Sequence, residues 1–511
     1  MNALKVINAM RKRVRSMAKG ATNPVQMLDE LHQLGHQLLN QGRLLAAETA
    51  FKTCLGFSPD HFEIRRSLAL CHLRLNQLTP ALAALVLLLE RKPDDLLCHL
   101  LMGRLCLRLN HPEEAKMHFQ VILDAHPRNE SGLSGMVDVA LATGDVPGAL
   151  ETATHMRRLH PRSTLAHLAM ANTLEAGGDV AAACQCLQDS LRHHPQDATI
   201  RYHLGRVLLK LGQLDQGWVE LAQVYEAGIQ PRPAVPTPRW EGQATQRLLV
   251  IGDQGLGDTL QYSRYLVEAG KRAASVTLAC DASLVSFLSR ALGILVIPLE
   301  QVDGFEHDAY ATVTDLPKAL GPLDDPYQLG ALDLFAQCCA SAVVPDAVRQ
   351  MEGLKIGISL SCSKVHSTEQ FPHTRRSCSP EDALALLQIP GAQFFHLQAS
   401  PDPQAQALFG DRWHEIPGGL PDFDHTLAWV RAMDRIVCVD SSLVHVAGSI
   451  GKPTSVALPS AADWKWQLHP STNPWYPEVR LYRQARAGEW GAVIVEISSH
   501  LKAAMPRADG S

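Results

Sequence analysis

Between Met27 and Gln230, apolar residues recur at the spacing of amphipathic helices, in paired blocks that repeat every 34 residues. From Arg247 the pattern changes. Short apolar runs bounded by glycine or polar turns alternate with helical stretches. They predict strands at 247–251, 275–279, 294–298 and 309–313, and a second series at 354–360, 394–397, 435–440, 454–458 and 479–482. The helices between them fall near 258–269, 282–291, 331–342, 380–388, 424–432, 442–449 and 493–504. Gln230–Pro238 (QPRPAVPTP) separates the two patterns with four prolines, the composition of a semi-rigid spacer. Trp240 follows it, an anchor for the next domain. Two strand–helix series in tandem imply two doubly wound domains facing a cleft.

Within the first half the period is carried by columns of particular residues. Prolines stand at Pro59, Pro93, Pro127, Pro161 and Pro195. Alanines stand at Ala47, Ala81, Ala115, Ala149 and Ala183, with Gly217 as the sixth member. Gly42, Asn76, Asn110, Gly144, Gly178 and Gly212 form a turn column that suits the left-handed end of a first helix. The small column lets paired helices approach closely, and the proline stops the second helix. Larger apolar residues fill the contact rows, as at Leu34, Leu68, Met102, Met136, Met170 and Leu204, or Phe51, Leu85, Phe119 and Leu187. This pattern resembles the tetratricopeptide repeat, with five or six repeats over residues 27–230. One such repeat cannot bury its apolar face. The resemblance therefore implies a continuous α-solenoid whose concave groove takes a peptide or a protein partner.

Composition narrows the function classes. A chain of 511 residues with 46% hydrophobic content is long enough for several full cores. A net charge of −5 and an aromatic fraction of 5% give no basis for nucleic-acid binding. Among twelve cysteines the close pairs are Cys184-x-Cys186 and Cys338-Cys339, with no second pair at zinc spacing. His36, His99, His118, His194 and His203 have no regular metal spacing either, so no metal is expected. No apolar run reaches the roughly 18 residues of a membrane span. Residues 1–26 carry Lys5, Arg11, Lys12, Arg13, Arg15 and Lys19, with no acid before Asp29 and no apolar segment of a signal peptide. They read as a solvated basic tail, or as a weak contact with an anionic inner-membrane surface. The expected location is cytoplasmic or peripheral at that membrane.

Two constellations carry candidate chemistry. Arg247–Gln261 (RLLVIGDQGLGDTLQ) is a buried strand, a turn with Gly252, Gly255 and Gly257, and the start of a helix. It is neither a dinucleotide fingerprint nor a P-loop, because the spacing and the Gly-Lys-Ser/Thr are missing. Asp253 reads as a turn residue. Asp258 stands at the mouth of the turn, either as a base or as a cap for the helix from Thr259. In the second series the strand RIVCVD ends at Asp440, and Ser441, Ser442 and His445 open a helix whose free N–H groups suit an anion. Asp440 and Ser441 could instead cap that helix without a ligand. Lys452 lies at its far end. Asp422-x-Asp424 precedes a helix and reads as an N-cap rather than a metal motif.

The stretches GDQGLGDTLQ and VDSSLVHVAGSIGKP come with a tail of Asp463-Trp464-x-Trp466, Pro474-Trp475-Tyr476-Pro477 and Arg480–Gln484. Together they resemble bacterial tetratricopeptide-repeat glycosyltransferases, with a catalytic half similar to the lipopolysaccharide heptosyltransferases. The resemblance implies an α + α/β chain, the solenoid followed by a GT-B-type pair of Rossmann-like domains. It also implies metal-independent, inverting transfer from a nucleotide-sugar, which is substrate and not cofactor. Asp258 would be the base. Asp440, Ser441, Ser442 and His445 would hold the donor, with Arg376 and Ser361, and Arg375 as a further cation. Gly252, Gly255, Gly257 and Gln261 would line the acceptor side, and Trp464 and Trp466 would border the sugar or belong to the core.

In outline, residues 1–26 are tail, 27–230 repeats, 231–239 linker, 240–350 the acceptor-side half, 351–505 the donor-side half and 506–511 tail. The acceptor would be a protein or a cell-envelope glycan recruited by the repeats. One departure stands out. Relatives carry Trp-Ala-Gly after the 354–360 strand, where this chain has Ser361-Cys362-Ser363. The alternative is therefore a non-catalytic repeat scaffold with a degenerate transferase half. A nucleotide-sugar epimerase has less use for the repeats.

Overall fold

The computed structural model describes residues 24–504 apart from 231, 253, 324, 326, 328–342 and 363–375. The basic tail to residue 23, Asp253, the helix expected at 331–342, Arg375 and the last residues lie outside them. The chain divides into two compact units. The first holds the described residues to Leu208 and Glu220–Pro236, the second Leu209–Val219 and the chain from Thr237.

The helices to residue 221 run in pairs: α1 (Pro24–Asn40) with α2 (Leu44–Phe57), α3 (Phe62–Arg74) with α4 (Leu78–Arg91), and α5 (Leu96–Arg108) with α6 (Pro112–Ala125). They continue as α7 (Glu130–Ala142) with α8 (Val146–Leu159), α9 (Thr164–Ala176) with α10 (Val180–His193), and α11 (Ala198–Lys210) with α12 (Leu214–Leu221). Every member of the turn column is left-handed, from φ 59° at Asn76 to 84° at Gly178. The amide after it reaches back five residues, as Arg43 does to Leu38 O (2.9 Å) and His111 to Cys106 O (2.8 Å). That bond satisfies a carbonyl the helix end would otherwise leave open.

A second column was not anticipated. His61, Asp95, Asn129 and Ser163 each cap the next first helix by accepting its third amide, and Asp197 accepts from Ile200 N (3.1 Å) in the same frame. The alanine column from Ala47 to Ala183 is wholly buried. Phe119 on α6 lies between the backbones of α5 and α7. A Cβ on Gly103 would come 2.7 Å from its ring, and one on Gly135 closer still.

The histidines of this unit differ in exposure: His72, His99 and His167 are buried, His32, His36, His118 and His203 are half-buried, and His194 is exposed. Burial and the neighbouring Arg206 push His203 down to about 4, against the opposing pull of Glu175 and Asp197. Burial likewise lowers His32, His36, His118 and His167. A histidine depressed in the folded state binds fewer protons there than in the unfolded chain between the two pKa values. Stability is then fully present above the unfolded value of about 6.5 and is lost as pH falls toward 4. The melting temperature of the helical signal is expected to fall steadily over that window. His203→Gln should flatten the fall, whereas an unchanged slope in that variant would remove His203 as its source.

In the second unit, Trp240 is buried, with its indole N–H on Gln243 O (2.6 Å) and its amide on Tyr310 O (2.6 Å). Arg239 beside it pairs with buried Asp315. The first sheet holds β1 (Thr245–Ile251), β2 (Ala273–Cys280), β3 (Leu295–Pro298) and β4 (Ala309–Thr312), all parallel in the order β3-β2-β1-β4. The helix expected at 258–269 is broken into α13 (Leu256–Tyr262) and α14 (Tyr265–Ala269), followed after β2 by α15 (Ala282–Leu292). At the break, Arg264 turns its guanidinium back onto Gln261 O (2.9 Å). Two short helices, α16 (Leu316–Leu320) and α17 (Asp346–Arg349), come after β4.

The second sheet holds β5 (Lys355–Ser359), β6 (Gln393–His396), β7 (Trp413–Glu415), β8 (Arg435–Val439), β9 (Thr454–Leu458) and β10 (Val479–Arg483). It too is parallel, in the order β10-β9-β8-β5-β6-β7. Its helices are α18 (Pro403–Phe409), α19 (Phe423–Ala432), α20 (Ser442–Ser449) and α21 (Trp490–Ala503). Residues 382–388 form a 3-10 helix rather than the α-helix expected there. β7 was not expected.

In both sheets the strand order reverses between two neighbours, β1 and the edge strand β4 in the first and the central pair β5 and β8 in the second. The carboxyl ends of such pairs are where an open sheet leaves a crevice. No helix among the described residues is long and apolar enough to cross a membrane.

Candidate functional site

The Gly252–Asp258 turn leaves the carboxyl end of β1, and Asp440 stands at the carboxyl end of β8. Each is therefore at the switch point of its own sheet. The helices that follow, α13 and α20, meet where Gly257 faces His445: a Cβ there would lie 2.9 Å from His445 Cδ2 and 3.5 Å from Ser442 Cα. Glycine at 257 is thus needed for close approach of two helices. Gly252 makes room for Thr259, whose Oγ1 would lie 2.9 Å from a Cβ. Gly255 is the N-cap of α13, in extended conformation and with no side-chain cap bond. The cap reading of Asp258 fails for the same reason. The helix begins at Leu256, two residues before it.

Asp258 instead pairs with Lys465 Nζ at 3.2 Å. Lys465 sits in a 3-10 turn, Trp464–Trp466, capped by Asp463, and is nearly inaccessible. Burial alone would push its ammonium down, and Arg376 adds to that. Asp258, Asp440 and Asp463 outweigh both and hold it well above its ordinary value. The sequence reading missed this cation, although it lies between the two tryptophans that were singled out.

On the other side, Asp440 is 1% exposed. Its Oδ2 has no hydrogen-bond partner among the described residues, and neither has buried Ser441 Oγ. Ser441 is the N-cap of α20 but makes no side-chain cap bond. A buried carboxylate oxygen and a buried hydroxyl left open beside a helix N-terminus are costly unless something polar fills the space. Arg376 flanks them, with Nη1 3.3 Å from Asp440 O and 3.8 Å from Asp440 Oδ2. Gln261, fully buried on α13 one turn beyond Asp258, also has both carboxamide atoms without a partner among the described residues.

His445 is buried, with Nδ1 2.9 Å from Tyr476 OH and its ring stacked on Trp466 at 6.0 Å. Burial, with Lys465, Arg264 and Arg376 nearby, holds it well below its ordinary value. It is therefore a neutral imidazole that offers hydrogen bonding but no charge. Behind it, Arg264 is sandwiched near Trp475 (5.0 Å) and Tyr476 (5.2 Å). Trp464 packs edge-on against Trp218 at 5.1 Å, and Trp466 is fully buried. Both tryptophans are core residues around the site.

The loop after β5 differs from what phosphate binding asks of it. Leu360 N and Ser361 N are both taken by Gln398 Oε1 (3.0 and 3.3 Å), and Cys362 N by Ser377 Oγ (3.1 Å). Ser361 Oγ accepts from Gln398 Nε2 (2.6 Å), and Cys362 Sγ lies 2.9 Å from Asp440 O. Asp422 caps α19 through His425 N (2.9 Å), as its position suggested. Asp424 is buried and pairs with Arg290 of α15. The Asp-x-Asp element is structural.

Two family models of the tetratricopeptide repeat match residues 38–105 and 168–232. A comparison with curated proteins gives no match. Similar solved structures include a tetratricopeptide repeat protein from Parabacteroides merdae (16% identity over 42% of this chain and 82% of that one, TM-score 0.30). Another is pilF of Pseudomonas aeruginosa (17%, covering 40% and 93%, TM-score 0.30). A third is a thermophilic repeat protein of Thermus thermophilus (24%, covering 39% and 91%, TM-score 0.24). At these identities and scores none carries an argument about this chain's function. The chain consists of tetratricopeptide repeats, a protein-interaction element, followed by a pair of parallel, Rossmann-like α/β sheets.

Proposed function

We propose that the α/β unit is an inverting glycosyltransferase of GT-B type that uses a nucleotide-sugar, with the repeats recruiting the acceptor. The observation that carries this reading is the approach of Gly257, the neighbour of Asp258, to the N-terminus of α20, where buried Asp440 Oδ2 and Ser441 Oγ have no hydrogen-bond partner among the described residues. In the reaction, the acceptor hydroxyl gives its proton to the Asp258 carboxylate as its oxygen bonds to the anomeric carbon. The bond from that carbon to the diphosphate breaks, and its electron pair leaves with the phosphate oxygen. The α20 amides, Ser441, Ser442, Arg376 and Lys465 meet that charge. His445 contributes a hydrogen bond. Gln261 would hold the acceptor.

The test is calorimetry of the full chain with UDP, GDP and ADP, followed by a nucleotide-sugar hydrolysis screen with and without cell extract. Binding of at least one nucleoside diphosphate and release of that nucleotide are expected. No binding by any of the three would sink the donor-side assignment.

A second reading has one observation in its favour. The three amides after β5 are already occupied by Gln398 and Ser377. On that reading the half is a degenerate transferase and the chain is a scaffold. The same calorimetry separates the two.

A further inference from the structure

Lys465 has three N–H donors, and among the described residues its ammonium makes one hydrogen bond, to Asp258 Oδ1 at 3.2 Å. It is held in a nearly inaccessible position by a short turn whose backbone is fixed: Asp463 caps the turn, and Trp475 Nε1 donates to Lys465 O (2.7 Å). Above that anchor the ammonium is carried on a stem of rotatable C–C bonds. Asp440 Oδ2 and Ser441 Oγ, which have no hydrogen-bond partner among the described residues, mark the place beside it that a polar ligand would fill. Asp440 is itself an anion, so a diphosphate arriving there needs a compensating cation. His445 is neutral and Arg376 is already directed at Asp440 O and Oδ2. A carboxylate tied to an ammonium is also a poor proton acceptor, since taking the proton forfeits the ion pair.

We propose that Lys465 is shared in turn between Asp258 and the donor's diphosphate, so that donor binding draws the ammonium off Asp258 and frees the carboxylate to act. This rests on the glycosyltransferase reading and adds to it a device that couples donor occupancy to the base. Asp258 and the diphosphate compete for one cation, and a diphosphate offers more charge and more acceptor oxygens than a carboxylate. The coupling is reciprocal. Whatever weakens the hold of Asp258 on Lys465 must strengthen the hold of the diphosphate.

The experiment is calorimetry of the full chain with UDP, GDP and ADP, comparing wild type, Asp258→Asn, Lys465→Met, Lys465→Arg and the Asp258→Asn/Lys465→Met double variant. Asp258→Asn is expected to tighten the bound nucleotide about fivefold or more. Lys465→Met should weaken it about tenfold, and Lys465→Arg, which keeps the charge, should restore most of that. In the Lys465→Met background the Asp258→Asn change should have no further effect. If the nucleotide binds wild type but Asp258→Asn leaves affinity unchanged or weakens it, the exchange is wrong and the donor site stands. If no nucleotide binds wild type, the donor reading fails and the exchange fails with it. A Lys465→Met protein that does not fold leaves Asp258→Asn and Lys465→Arg to decide.

Discussion

Asp258→Ala is expected, on the proposed glycosyltransferase reading, to lower sugar transfer by about 10²–10⁴-fold, the usual contribution of a positioned general base. The fold should survive. The side chain is partly exposed, α13 is not capped by it, and Lys465 keeps Asp440 and Asp463 as counter-charges. On that reading binding of the nucleotide should not weaken, because Asp258 would serve the acceptor and its removal leaves Asp440, Ser441 and Arg376 in place. The measurement is turnover of the hydrolysable or transferable sugar found in the nucleotide-sugar screen, beside calorimetry of the matching nucleoside diphosphate. A turnover within about threefold of wild type, when a base is worth at least 10², would remove Asp258 from the chemistry.

The largest expected effect on stability is that of Phe119→Ala, a loss of about 3–5 kcal/mol. Phe119 is wholly buried and its ring is pressed against two glycine backbones, one on each neighbouring first helix. Those backbones have no side chains with which to refill the space. The cavity therefore stays open, and the cost sits at the high end of what an aromatic deletion brings. Because a repeat array is stabilised mainly by contacts between neighbours, α5, α6 and α7 should loosen together. Urea unfolding measures the loss, and hydrogen exchange locates it. A loss below about 1 kcal/mol, or exchange unchanged in α5 and α7, would show that the site collapses after all.

The repeats were legible because their signals are local. A left-handed turn asks for glycine or asparagine, and a close helix approach asks for alanine or glycine, wherever the rest of the chain lies. The capping column at His61, Asp95, Asn129, Ser163 and Asp197 went unread because four residue types perform one task at those five positions. The strands were legible as apolar runs between turns. β7 was not, since Trp413–Glu415 is three residues long and two are polar.

The site was only half legible. Asp258 and Asp440 stood out by their places after strands. What Asp258 touches was hidden, because Lys465 is 207 residues away along the chain. Nothing in Trp-Lys-Trp distinguishes a buried cation from a solvated one. The closing of the β5 loop by Gln398 was equally invisible, since it depends on the neighbouring strand β6 ending beside it.

The turn column has a further consequence, for how such a chain can change length. Each first helix ends in the same backbone conformation, at positions 34 residues apart from Gly42 to Gly212. A cut at any two of these turns leaves ends of matching geometry. Loss or duplication of a segment between them rejoins Gly to Gly or Gly to Asn without a misfit, whereas any other length places a helix interior against a turn. The first half of this gene can therefore be lengthened or shortened in whole modules by recombination, and its α/β unit can be inherited unchanged beside arrays of different reach.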